Sequence, residues 1–288
     1  MPANASLGSK TIGRDVRRSQ APARVAVAGL GSIGRVLARR LVDGVPGSML
    51  AAVAARDEAK ARTFLEGIGS TAPVVPLDRL GDAADVIVEA LPASAFDELA
   101  EPTLAKGRTL LVISVGTLLS RTDLFDFAER HGGRIIVPTG ALIGLDAVQA
   151  AAQGTIHSVV MVTRKPPAGL RGAPHLVANG ISVDGLDAPR RVFAGTARDA
   201  VKGFPANVNV VAALSLAGIG PDRTWIEIWA DPTVDRNRHR IEVDSDSATF
   251  SMEIANIPSD DNPRTGRITA LSVLATIRKL GQSVVIGT

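Results

Sequence analysis

The chain has no cysteine, which removes disulfide cross-links, thiolate metal sites and a cysteine nucleophile from consideration. It has no tyrosine, and aromatic residues make up only 3% of it. That is too few to supply the stacking platforms that single-stranded nucleic acid needs. The formal net charge is +3. Lys10, Arg14, Arg17, Arg18 and Arg24 crowd the start, so the remainder is nearly balanced and no nucleic-acid partner is expected. No apolar run reaches the roughly 18 to 20 residues that span a bilayer, so no membrane partner is expected either. The four histidines (His131, His157, His175 and His239) are scattered without paired metal-ligand spacing, so no metal site is expected.

Residues 1–21 are polar, basic and without periodicity, and are expected to form a disordered tail. Asp15 is the one acid there, which leaves a transit peptide open. An apolar h-region is missing, so a secretory leader is not expected and the chain reads as cytoplasmic. Beyond the tail the chain is rich enough in apolar residues for a sizeable core. At 288 residues, with 45% hydrophobic and 21% charged content, there is room for two domains.

The most informative stretch is Arg24 to Arg40, RVAVAGLGSIGRVLARR. An apolar run from Val25 to Ala28 precedes Gly29, Gly31 and Gly34 in G-x-G-x-x-G spacing, with Ser32 and Ile33 inside the turn. Ile33, Val36, Leu37 and Leu41 then recur at helical spacing. Strand, glycine turn and helix in that order point to a dinucleotide site, with NAD or NADP as cofactor. Gly29 allows the sharp turn, Gly31 lets a pyrophosphate approach the backbone, and Gly34 lets helix and strand pack closely. The free amides at the helix start face the phosphate charge.

A second strand, Met49 to Ala55, ends in Arg56-Asp57. An acid at that tip favours the ribose hydroxyls of NAD, whereas an arginine accommodates the extra phosphate of NADP. Asp57 is equally suited to cap the helix that starts at Glu58. Further strands are expected over 73–77, 85–91, 108–114 and 134–137, with helices between them. This alternation specifies an α/β, Rossmann-type doubly wound parallel sheet over 22–138, with ligands at the carboxyl ends of its strands. From Pro138 the pattern changes. A helix is expected from there to Gln153, then alternating, antiparallel-looking strands interrupted by a helix from Ala206 to Ala217. Residues 139–264 thus read as a second α+β domain with a mixed or antiparallel sheet. The last helix, within 265–288, carries Ile268, Leu271, Leu274 and Ile277, a face suited to packing back on the first domain.

Several stretches beyond the glycine turn resemble the L-aspartate dehydrogenases. They are Pro138-Thr139-Gly140-Ala141 with Gly144-Leu145-Asp146-Ala147, Thr163-Arg164-Lys165-Pro166, Phe204 to Val210 (FPANVNV), Asn237-Arg238-His239, and Ile257 to Thr265. The resemblance covers about residues 23 to 288. It implies an NAD(P)-dependent enzyme, usually a homodimer, in which 139–264 forms the substrate, catalytic and dimerisation domain. Such an enzyme oxidises L-aspartate to iminoaspartate, which hydrolyses to oxaloacetate and ammonia or feeds NAD biosynthesis. It also implies that His239 is the catalytic histidine, and that Ala141 and Asn207 or Asn209 contact the cofactor.

Oxidising an amino acid needs a hydride acceptor, a group that takes the amine proton, and cations for the carboxylates. His239 lies in a polar, loop-like run, and an ordinary imidazole pKa of about 6.5 predicts activity that falls on the acid side near neutrality. Arg164 and Lys165, at a strand end before Pro166-Pro167, suit a dicarboxylate or else form a solvated basic turn. Thr139 stands with them as a substrate contact. Asn207 and Asn209 would either cap a helix or bond the nicotinamide carboxamide. The alternative functions are another Rossmann oxidoreductase or imine reductase acting on a different small amino or oxo acid, and a regulator that binds NAD(P) without turnover.

Overall fold

The computed structural model describes residues 21–205, 209–259, 262 and 265–287. The tail at 1–20, Asn207, Pro263 and Arg264 lie outside these. The first half alternates strand and helix: β1 (Ala23–Ala28), α1 (Ser32–Gly44), β2 (Ser48–Ala54), α2 (Glu58–Gly67) and the short α3 (Leu80–Ala83). Next come β3 (Val86–Glu89), α4 (Phe96–Ala105), β4 (Thr109–Val112), α5 (Val115–Leu118), α6 (Asp123–His131) and β5 (Arg134–Ile136). The five strands form one parallel sheet in the order β2-β1-β3-β4-β5. Burial on both faces explains why residues 25–28 of β1 and 86–88 of β3 are unbroken apolar runs rather than alternating ones.

The strand expected at 73–77 is reduced to a single parallel bridge, Val53 to Val74. Pro73 and Pro76 flank it and have no amide hydrogen to extend the ladder, so only Val53 N→Pro73 O (3.0 Å) and Val75 N→Val53 O (2.9 Å) form.

The second half begins with α7 (Leu145–Ala151), β6 (Ile156–Lys165), α8 (Pro174–Ala178), β7 (Arg190–Thr196) and α9 (Ala197–Gly203). It continues with α10 (Asn209–Ala217), β8 (Thr224–Ala230), β9 (Arg238–Ser245), β10 (Thr249–Ala255) and α11 (Arg267–Leu280). Its sheet runs β10-β9-β6-β8-β7 and is mixed: β6 and β8 pair in parallel, and the other neighbours pair antiparallel. The long connection through β7, α9 and α10 is what lets β8 return parallel to β6. The helix expected from Pro138 starts only at Leu145, because Gly140 and Gly144 take positive φ angles that no helix accommodates.

Helix α11 packs against α1. Val273 and Ile277 are fully buried in one cluster with Val25, Leu37 and Leu41, each contributing about 1.5 to 3 kcal/mol. The buried stripe differs from the one expected. Leu271 is 48% exposed and Ile268 also faces outward, while Ala270 and Val273 turn inward. Similarly, Val36 of α1 lies outside and Gly34 and Ala38 lie inside. On α1 the small Gly34 lets the helix approach β1 closely, a Cβ there lying 3.3 Å from a Val27 methyl, so the inner faces are less apolar than their outer neighbours suggest. Among the described residues no helix is long and apolar enough to cross a membrane.

Candidate active site

The parallel strands end at a trough of about 700 Å³, bordered by Gly29, Gly31, Arg56, Asp57, Leu91 and Pro92. The three glycines differ in their steric surroundings. Gly29 has φ +96° and leans on the Ala90 carbonyl, whose carbon would lie 3.0 Å from an added Cβ. A Cβ on Gly34 would land on the Gly29 carbonyl, 2.9 Å from its carbon and closer still to its oxygen. A Cβ on Gly31 would meet nothing within 4 Å. Gly29 and Gly34 hold the turn, and Gly31 leaves the mouth open where Ser32 and Ile33 begin α1 with unpaired amides. That open, donor-lined edge fits a pyrophosphate.

Arg56 is exposed on the trough wall and has no hydrogen bond or ion pair with the described residues. Asp57 lines the same wall and also caps α2, accepting from Lys60 N at 3.0 Å and pairing with its Nζ at 3.1 Å. A second cation, Arg35, also lines the trough and donates to Leu30 O at 3.0 Å. It stands one helical turn after Gly31, a position from which its reach toward the turn could have been read.

Glu89 closes the end of β3. Its carboxylate accepts from the amides of Leu91 (2.8 Å), Ile113 (3.0 Å) and Ser114 (2.7 Å), and from the Ser114 hydroxyl (3.0 Å). Burial pushes its pKa above the usual carboxylate range, against those hydrogen bonds. The group therefore ties together the loops after β3 and β4, the floor beneath the trough.

A second cavity, of about 150 Å³, lies between the two sheets. Ile33 comes from the start of α1, Val112 and Ile113 from the end of β4, Thr139 and Ala141 from the turn after β5, and Asn209 from the start of α10. Lys165, His239, Asn237 and Asn256 come from strand ends of the second sheet. Antiparallel pairing of β6 with β9 sets Thr163 opposite His239, and Thr163 Oγ1 lies 3.1 Å from His239 Nδ1.

His239 is not in a loop. It is the second residue of β9 and only 2% exposed. Burial first, and the nearby Lys165 charge second, hold its pKa down at about 3, far below the ordinary imidazole. Burial likewise lowers Lys165 to about 8. The expectation of an imidazole titrating near neutrality is therefore corrected: His239 is held neutral throughout the physiological range. A threonine hydroxyl can accept from Nδ1–H, and that tautomer leaves Nε2 with a lone pair.

Arg164 does not join Lys165. Period-2 alternation along β6 turns it to the other face, where it pairs with Asp231 at 3.0 Å and lies 4.9 Å over the Trp229 ring. It lines a surface groove with Arg238 and Arg240 instead. Asn209 does not cap its own helix. Its Oδ1 accepts from Gly116 N at 3.0 Å, tying α10 to α5 beside the cavity. Asn207 lies outside the described residues. Thr163 lies in a stretch that carries the family resemblance, but nothing in the sequence sets it against His239, which strand register does; Asn256 has no signal, because it reaches the site only through a long-range contact.

A glycine-built trough on a parallel sheet, leading to a cavity with a buried base and a buried cation, defines a nicotinamide-dependent oxidoreductase of two-sheet architecture. Similarity to known proteins sharpens this. Residues 29–138 match the "Homoserine dehydrogenase, NAD binding domain" family and 146–280 match "Aspartate dehydrogenase, C-terminal". The chain is 59% identical to an L-aspartate dehydrogenase of Bradyrhizobium diazoefficiens, over 92% of this chain and 94% of the relative. It is 52% identical to L-aspartate dehydrogenase 3 of Bordetella bronchiseptica, over 92% and 97%. The crystal structure of aspartate dehydrogenase from Thermotoga maritima shares the fold, with a TM-score of 0.69 at 23% identity, covering 92% of this chain and 99% of that one. The chain belongs to the L-aspartate dehydrogenase family.

Proposed function

We propose that the protein oxidises L-aspartate to iminoaspartate with NAD or NADP as acceptor, the imine then hydrolysing to oxaloacetate and ammonia or entering NAD biosynthesis. The observation that carries this reading is the pairing of neutral, buried His239 with buried Lys165 in one small cavity beside the glycine trough. The bound nicotinamide supplies the hydride acceptor. Gly29, Gly31, Ser32, Ile33 and Gly34 would hold the pyrophosphate, Arg56 and Asp57 would meet the adenosine ribose, and Ala141 and Asn209 would contact the nicotinamide.

Lys165 attracts a substrate carboxylate, and Thr139 hydrogen-bonds beside it. His239 takes a proton from the substrate ammonium, which frees the nitrogen lone pair that drives the Cα–H bond to break. Thr163 holds the imidazole so that Nε2 is the accepting nitrogen. Ile33, Val112 and Ile113 give the cavity an apolar wall. Division of the chain into a cofactor part (22–138, with α11 packed on it) and a substrate part (139–264) is consistent with this assignment. We read the enzyme as a cytoplasmic homodimer, a state that sedimentation analysis checks.

The experiment is a steady-state assay of purified protein on a panel of amino acids with both cofactors. Wild type is expected to prefer L-aspartate. His239→Ala is expected to bind NADH normally and turn over at least about a hundredfold more slowly, the low end for losing a general base. His239→Asn, which keeps polarity but not basicity, should be nearly as slow. Wild-type turnover in either variant would overturn the assignment of His239. Oxidation of a different amino acid with the same histidine dependence would keep the reaction and replace the substrate.

A further inference from the structure

Asn256 follows β10 and is anchored on both sides. Its backbone amide donates to Asn237 O at 2.8 Å, and its side-chain Nδ2 donates to Ala141 O at 3.0 Å. A carbonyl oxygen only accepts, so the NH2 end of the amide must face Ala141, and the orientation of the group is settled by its partner. Gly266, just before α11, presses on the same amide: a Cβ there would lie 3.1 Å from Asn256 Oδ1. The residue is 4% exposed and lines the inner cavity, yet Oδ1 has no hydrogen-bond partner among the described residues. Buried side-chain acceptors are seldom left without a partner, because each lost bond to water goes uncompensated.

The rest of the cavity is rich in donors. Lys165, Thr139, Thr265 and Thr269 present N–H or O–H groups suited to carboxylate oxygens. Besides the accepting nitrogen of His239, an acceptor fixed by its surroundings is what such a site needs for a ligand N–H.

We propose that Asn256 Oδ1, held by the Nδ2–Ala141 anchor and backed by Gly266, is the binding-site acceptor for a ligand N–H, that of the substrate amine or of the nicotinamide carboxamide. The inference rests on the proposed amino-acid oxidation for the first source and on cofactor binding alone for the second. It makes Asn256 the residue that orients an amine-bearing ligand, a role distinct from the proton transfer given to His239.

The test compares wild type with Asn256→Leu, similar in size but without the acceptor, and with the smaller Asn256→Ser should the leucine variant fail to fold. Four probes are titrated: L-aspartate as substrate, succinate (the same dicarboxylate without the amine) as inhibitor, NADH, and the reduced acetylpyridine analogue, which lacks the carboxamide N–H. If the amine is the donor, the apparent affinity for aspartate falls about tenfold or more, as for a lost bond to a charged group, while succinate and both cofactors are unchanged. If the carboxamide is the donor, NADH weakens by a similar factor and the acetylpyridine analogue does not. Equal losses for all four probes would mean that Asn256 only holds the fold, and no loss for any would mean that Oδ1 meets no ligand; either overturns the proposal. Should wild type fail to oxidise aspartate, the amino-acid reading falls while the two cofactor titrations still decide the carboxamide case.

Discussion

Two glycines three residues apart in the turn motif should fail in opposite ways when given a side chain. Gly34→Ala puts a methyl onto the Gly29 carbonyl, with the carbon at 2.9 Å and the oxygen nearer. The obstacle is backbone, which cannot swing aside like a side chain. Overpacking costs about 1 to 3 kcal/mol, and a rigid backbone contact belongs at the upper end. Alanine returns about 1 kcal/mol through its better helix propensity. A net loss of about 2 kcal/mol corresponds to a fall of about 4 to 8 °C in Tm for a chain of this size class. Gly31→Val meets nothing within 4 Å in the protein, and Gly31 has an ordinary negative φ of −73°, so the fold has no steric reason to object. The valine should change stability by no more than about 1 kcal/mol, the scale of an altered helix cap. It occupies the open mouth instead, and the Kd for NADH should rise at least about tenfold, or 1.4 kcal/mol. Thermal denaturation and calorimetric titration of NADH on both variants read the two effects separately. A Gly34→Ala protein that melts with wild type would refute the packing argument. A Gly31→Val protein with wild-type NADH affinity would show that the pyrophosphate lies elsewhere.

Arg56→Ala should raise the KM for NADP more than that for NAD, because Arg56 is the exposed, uncommitted cation on the trough wall; equal effects would mean that it does not read the 2′-phosphate. Thr163→Val, nearly isosteric, removes the partner of His239 Nδ1 and should lower kcat with little change in KM for either ligand; a pure KM effect would contradict its positioning role. The pH profile of kcat/KM is set by the two buried groups. Lys165 at about 8 is charged below that value and loses its charge above it, so kcat/KM should decline on the alkaline side. His239 at about 3 is already neutral there, so no acid limb from it should appear between about pH 5 and pH 8. An acid limb near neutrality that disappears in His239→Asn would show that the imidazole titrates normally.

The first half was legible because its signals are local. G-x-G-x-x-G after an apolar run dictates a turn that sterics alone enforce, and the parallel sheet follows from alternating elements. The 73–77 segment failed because proline removes ladder donors without changing apolar content. In the second half the strands were visible, but their pairing was not: the parallel match of β6 with β8 depends on where a long connection returns. The same limit applies to the site. His239 was identifiable by type and by family resemblance, but its burial was not, since Asp235, Asn237 and Arg238 make the run look solvated. Alternation along β6 separates Arg164 from Lys165, and only the knowledge of which face is inward tells which of the two reaches the cavity. Asn256 had no local signal at all, because its meaning comes from Ala141, 115 positions away.

Burial of the base and the cation together also bears on which substrate the site can use. A neutral imidazole accepts a proton readily only if the imidazolium it becomes is tolerated. Here desolvation and the Lys165 charge both oppose that form, which is why the pKa sits at about 3. A ligand that brings negative charge into the cavity offsets both effects, since it compensates Lys165 and offers the imidazolium a counter-ion. An amino acid with one carboxylate supplies one such charge, and a dicarboxylate supplies two. Proton acceptance by His239 is therefore strongest when the second carboxylate is present. On this argument the preference for aspartate over alanine should appear in kcat as well as in KM, since the missing carboxylate weakens the base and not only the binding. Kinetics on L-alanine at saturating cofactor test it: a kcat equal to that for aspartate, with only KM raised, would mean that the side-chain carboxylate contributes binding alone and that the electrostatic coupling between Lys165 and His239 has no part in the chemical step.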